Sequence, residues 1–224
     1  MGNFSQEDLL QFLYFFPVLL ISVALHEFAH CWTDDRLGDD TPRRHGRVTL
    51  NPFKHLDSLG TIMMVVSAFA HFGIGWGKPS PFNPNNFRHP VRDRMIGALA
   101  GPFSNILQMI AWASLLPICI FFFPVVDPNN LPLPIEFCFT GIGINAALAT
   151  FNLLPVYPLD GHHILSYLAP RSWRPIIDNP AWAYVFLAIV LIGPIRQAVL
   201  SPILGPAREW LTHAALLLVG ISTS

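Results

Sequence analysis

His26, Glu27 and His30 stand together in "LLISVALHEFAHCWTDD", residues 19–35, where an apolar run gives way to acid. Two imidazoles and a carboxylate are costly inside a membrane span and are kept there for function. Four residues apart, the histidines project from one face of a helix, one turn from each other. That spacing lets both reach a single zinc ion, with Glu27 placed to take the proton of a water attacking a carbonyl. In a soluble helix the same letters describe a solvated charged face. Here the almost wholly apolar residues 19–25 come first.

A catalytic zinc generally has three protein ligands and one open position. Asp34 shares the face of His26 but lies about 12 Å farther along the helix axis, against metal–ligand bonds of about 2 Å. It is therefore read as the solvated end of the helix. Asp160, in "FNLLPVYPLDG", is the stronger candidate, because it closes a later apolar span. Alone, an Asp-Gly pair after a helix is also a common surface turn.

These residues need a frame, and composition says which. Of 224 residues, 52% are hydrophobic and 12% charged, about half the charged share of a soluble domain. The expectation is an all-α membrane protein, a polytopic bundle of transmembrane helices. Candidate spans are 9–33, 95–123, 135–157 and 181–203, each near the ~20 residues a bilayer core requires. A shorter apolar piece, 209–222, reads as a short span or an interfacial helix. A formal net charge of −1 gives no reason to expect nucleic-acid binding. Cys31, Cys119 and Cys138 form neither a disulfide framework nor a Cys-x-x-Cys knuckle, and read as apolar fillers. The flank before the first run is acidic (Glu7, Asp8), unlike that of a signal peptide.

Eleven of the thirteen Lys and Arg residues fall in three loops, around 36–54, 78–94 and 171–174. By the positive-inside rule these loops are cytosolic and the N-terminus is outside. Both candidate ligand sets then lie near the cytosolic side of a cell membrane. Residues 59–87 begin and end on that side, so they read as a re-entrant, β-like element. Irregular backbone at membrane depth persists where protein buries it or where it lines a wet cavity.

Taken together, "HEFAH", "NLLPVYPLDGHHIL", "GWGKPSPFNP" and "AGPFSN" resemble the motifs of the site-2 protease family of intramembrane zinc metalloproteases. The likeness runs from the first span to about Leu165. It implies one integral-membrane metalloprotease domain over residues 1–224, without a PDZ or CBS domain. It implies one zinc held by His26, His30 and Asp160, Glu27 as general base, and Asn152 as a donor to the scissile carbonyl. It also implies a transmembrane protein substrate, held as an added strand by the segment from Trp76 to Phe82. Asn152 also suits a plain bond between helices in lipid.

Gly97 and Gly101 form a Gly-x-x-x-Gly pair suited to close helix packing. Asn105 is given a structural role in the same groove. His162 and His163 are read as facing the cytosol, and His71 as a core residue. Two other readings stay open: a di-iron lipid-modifying enzyme, and a non-catalytic metal-binding membrane protein. The oligomeric state is not legible.

Overall fold

The computed structural model describes residues 6–70, 76–127 and 130–191, with isolated positions from 201 to 217. Apolar sequence of bilayer length sets its frame. Helix α1 (Gln6–Arg36) contains the apolar stretch Phe12–Arg36. Two short helices follow, α2 (Thr41–Arg44) and α3 (Ser58–Ala70). Then come two long ones, α4 (Pro90–Phe122) and α5 (Leu133–Asn152). The chain continues through α6 (Gly161–Leu168), α7 (Arg174–Ile177) and α8 (Ala181–Leu191). Among the described residues α1, α4 and α5 are the helices long and apolar enough to cross a membrane. The protein is an all-α membrane protein.

The helix ends depart from the hydropathy limits for local reasons. Helix α4 starts at Pro90 rather than 95. Proline suits a first helical position, and the Asp93 carboxylate accepts the His89 backbone N–H at 2.8 Å. Helix α5 stops at Asn152 rather than 157, because Pro155 disfavours helical backbone in the residue before it. The expected span 181–203 begins as α8, and residues 192–200 lie outside the described residues. So do His71 and most of 209–222.

Helix α4 packs against both α1 and α5. Small residues allow the approach: Ala113 and Ala146 are fully buried, and a Cβ on Gly141 would collide with the Trp112 ring. A buried polar chain joins all three spans. Asn105 donates to Asn145 at 2.9 Å, and Asn145 donates to the Ser22 hydroxyl at 2.9 Å.

The turn after α1 uses Gly38 in the left-handed region, at φ 112, which glycine adopts without a Cβ clash. Asp39 then gathers the N–H and hydroxyl of Thr41, the N–H of Asn83 and the side-chain amide of Asn86. Burial pushes its carboxyl up, and those donors more than offset the push, leaving it below the ordinary carboxylate range. The loop is thereby tied to the segment before α4.

Among the described residues the β-like element is a single antiparallel bridge, Leu56 to Gly77, with Lys78 N–H donating to His55 O at 2.7 Å. Buried Arg47 donates to the carbonyls of Lys78 and Pro79. Residues 76–83 are thus an extended strap, and the segment returns to the end from which it left.

Candidate metal centre

His26 and His30 lie on the face of α1 that meets α4, and both are buried. Each ring has one nitrogen engaged. His26 Nδ1 faces Asn105 Oδ1 at 2.7 Å, and His30 Nδ1 faces the Gly97 carbonyl at 2.7 Å. Both partners are acceptors, so both Nδ1 atoms carry the proton, and a neutral ring then presents the Nε2 lone pair to a metal. The helix pair comes this close because α4 carries glycine where the imidazoles sit. A Cβ on Gly101 would collide with His30 and stand 2.6 Å from His26 Cε1.

Asp160 arrives from the turn after α5. Gly161 makes that turn possible, since a Cβ there would strike the carbonyls of Leu153 and Leu154 at the end of α5. The chain folds back, and Asp160 Oδ2 comes to 3.3 Å from both His26 Nε2 and His30 Nε2. The two Nε2 atoms are 3.0 Å apart. Ligands of a tetrahedral zinc, with bonds of about 2.0–2.2 Å, stand about 3.3 Å apart. The triangle is therefore one face of such a tetrahedron. Asp160 Oδ2 is also buried without a hydrogen-bond partner, which a cation between the three atoms would answer. Among the described residues this is the cluster of His, Cys, Asp and Glu that could hold a metal.

Glu27 lies beside the triangle, with Oε2 buried and unpartnered. The extended strap passes directly over it. A Cβ on Gly77 would lie 3.1 Å from Glu27 Cγ and 3.3 Å from its Oε1, so glycine keeps that approach open. Asn152 ends α5, and its amide donates to Leu148 O at 3.0 Å, a bond within its own helix rather than to the cluster. Cys31 is buried against the Ser80 hydroxyl, and all three cysteines are free thiols.

Asp34 is not a solvated helix end. It is fully buried and accepts from Arg94 at 3.2 Å. Nor are His162 and His163 turned out to solvent. His162 is buried and His163 accepts from Arg94 at 3.1 Å. Burial, followed by the neighbouring Arg94, lowers the His163 pKa to about 2, so it stays neutral. Asn145 drew no attention in the sequence. Its only signal is an amide in the middle of an apolar span, which asks for a partner.

The Asn105 bond makes a prediction. Partners of metal-bound histidines set ring orientation, and losing one typically costs 10–100-fold in metal affinity. Asn105→Ala should lower zinc affinity by about that factor, read by competition with a chromophoric chelator, while helix content stays unchanged.

A model of peptidase family M50 matches residues 117–193. The chain is 33% identical over 198 residues to YwhC of Bacillus subtilis, provisionally named a zinc metalloprotease, with 88% of each chain covered. It is 29% identical over 176 residues to Rip2 of Mycolicibacterium smegmatis, and 28% identical over 179 residues to Rip2 of Mycobacterium tuberculosis. Both bear the same kind of provisional name, and 78% of this chain and 65% of each of theirs are covered. No solved structure gives a significant match.

Proposed function

Because the chain belongs to peptidase family M50, the site-2 protease family, and is a membrane metalloprotease, we propose that it hydrolyses peptide bonds within the transmembrane segments of other membrane proteins. The observation that carries this reading is the triangle of His26, His30 and Asp160 at the junction of spanning helices, with Glu27 at its edge. His26, His30 and Asp160 would hold one zinc per chain. When bound, zinc supplies a Lewis acid that makes water a nucleophile near neutral pH and polarises the scissile carbonyl.

The remaining work falls to side chains. Glu27 takes the proton from the attacking water and returns it to the leaving amine. Its unpartnered Oε2 is free for that exchange. Asn152, by turning from its intrahelical bond, can donate to the oxygen on which negative charge develops. Such a donor is most effective where water is scarce. The strap of residues 76–83 is pinned by Arg47, His55 and Asp39. A rigid extended strap beside Glu27 suits a substrate added as a strand. A transmembrane helix keeps its amides bonded internally, so cleavable substrates need helix-weakening residues near the cut.

The test combines metal content with product analysis. Protein purified in detergent should carry one zinc per chain and cut a single-span membrane protein within its apolar segment, and His26→Ala should lose both. Two irons with a modified lipid, or a full zinc load in the variant, would overturn the reading. The proposed orientation has its own check. Val126, 93% exposed between α4 and α5, should as Val126→Cys react with a membrane-impermeant maleimide from outside intact cells. Labelling confined to inverted vesicles would reverse the topology.

A further inference from the structure

We propose that Arg94 is a positioning residue for the metal centre: its guanidinium fastens α6 to α1 one helical turn from the ligands, and so holds Asp160 in register with His26 and His30 before metal binds. The inference rests on the reading of those three residues as the metal ligands.

On α1, Asp34 follows His30 by four residues. On α6, His163 follows Asp160 by three. Both intervals are one helical turn. Arg94, on α4, reaches both, with Nη1 3.2 Å from Asp34 Oδ2 and Nη2 3.1 Å from His163 Nε2. A guanidinium only donates, so the direction of both bonds is settled. The ligands form one layer, joining α1 to the start of α6. Arg94 forms the next, joining the same two elements with a cation that is always present.

The same side chain touches the strap. The guanidinium carbon lies 3.8 Å from the Phe82 ring centroid, an attractive stacking of cation on aromatic face. The strap that passes Glu27 and the turn that carries Asp160 therefore share one anchor. Sequence explains why an anchor is needed. Residues 153–160 contain Pro155 and Pro158 and form no regular element, and α6 is eight residues long. Internal hydrogen bonds and buried Leu159 shape this turn, and Arg94 adds the tie to α1, where a metal site tolerates a displacement of only a few tenths of an ångström. The arrangement is enclosed, since the Asp34 side chain is fully buried and that of Arg94 is 15% exposed. Lysine cannot replace arginine here, because two diverging bonds and a stacked plane need the planar fork.

The test is a zinc titration of full-length, metal-stripped protein in detergent against a chromophoric chelator. It compares wild type, Arg94→Met, Arg94→Lys, His163→Leu and the Arg94→Met/His163→Leu double variant. We expect each single variant to bind zinc at least about tenfold more weakly, Arg94→Lys not to recover wild-type affinity, and the double variant to be no weaker than the weaker single one. The visible spectrum of the cobalt(II)-loaded variants should shift, reporting altered ligand geometry. A role confined to packing would lower the melting temperature of the metal-free protein and leave zinc affinity and the cobalt spectrum alone, and that result overturns the proposal. Should Arg94→Met fail to fold, His163→Leu decides by the same criterion, because it leaves the Arg94–Asp34 pair intact. Wild-type protein that binds no zinc overturns the assignment of the ligands and this inference with it, whereas normal zinc binding in the variants overturns this inference alone.

Discussion

Glu27→Gln is expected to keep its zinc and lose its proteolysis. The substitution changes one atom type and almost no volume, so the close passage of Gly77 over this side chain is preserved. Glu27 is not one of the three atoms that face each other across 3.0–3.3 Å, so metal content should stay at the wild-type value. What disappears is a group able to accept a proton from water and hand it to the leaving amine. General acid–base catalysis by one side chain contributes about 10²–10⁴ in rate, so cleavage should fall at least about a hundredfold. The measurement pairs zinc content with the rate of product formation on one preparation. A variant that retains zinc and cleaves within about tenfold of wild type removes Glu27 from the role of base. A variant that loses zinc means that Glu27 helps to hold the metal.

How far the sequence shows this centre depends on whether the relevant partner is near in the chain. The helix of "HEFAH" and the three spans found as α1, α4 and α5 could be read from local pattern, because both follow from periodicity and the thickness of a bilayer. Asp160 is 130 residues from His30, and no spacing rule joins them. Its place at the end of a later apolar span made it a candidate, and the resemblance of "NLLPVYPLDG" to a family motif singled it out from a common surface turn. Asp34 shows the same limit. Its position at the end of an apolar run suggests solvent, while its actual partner, Arg94, lies sixty residues on. His163 shows the same limit, since loop charge says nothing of a guanidinium on α4.

The glycine pair shows a subtler limit. Gly97 and Gly101 read as a generic contact between helices, and α4 does pack on α1. Yet the space each leaves is taken by a particular side chain, Asp34 at Gly97 and the two imidazoles at Gly101. Gly97 also lends its carbonyl to His30. A small-residue motif announces close approach, and only three-dimensional placement says what has moved into the gap.

That placement yields the second large effect. Gly101→Ala should empty the metal centre while leaving the bundle folded. The added methyl would overlap His30 and lie 2.6 Å from His26 Cε1. Neither ring can simply swing aside, because His26 is held by Asn105 and His30 by the Gly97 carbonyl, each at 2.7 Å. Either the rings break those bonds or α4 withdraws from α1, and both displace ligand atoms by more than the ~0.2 Å that metal–ligand bonds tolerate. Zinc affinity should fall more than about a hundredfold, beyond the usual loss of one outer partner, and activity should go with it. Two glycines of α5 supply the controls. A Cβ on Gly143 meets nothing within 4 Å, so Gly143→Ala should bind zinc and cleave as wild type does. A Cβ on Gly141 collides with Trp112, away from the ligands, so Gly141→Ala should lower the melting temperature and keep its zinc. If Gly101→Ala instead behaves like Gly141→Ala, less stable but fully loaded, the imidazoles have more room than their hydrogen bonds imply, and the glycine serves packing alone.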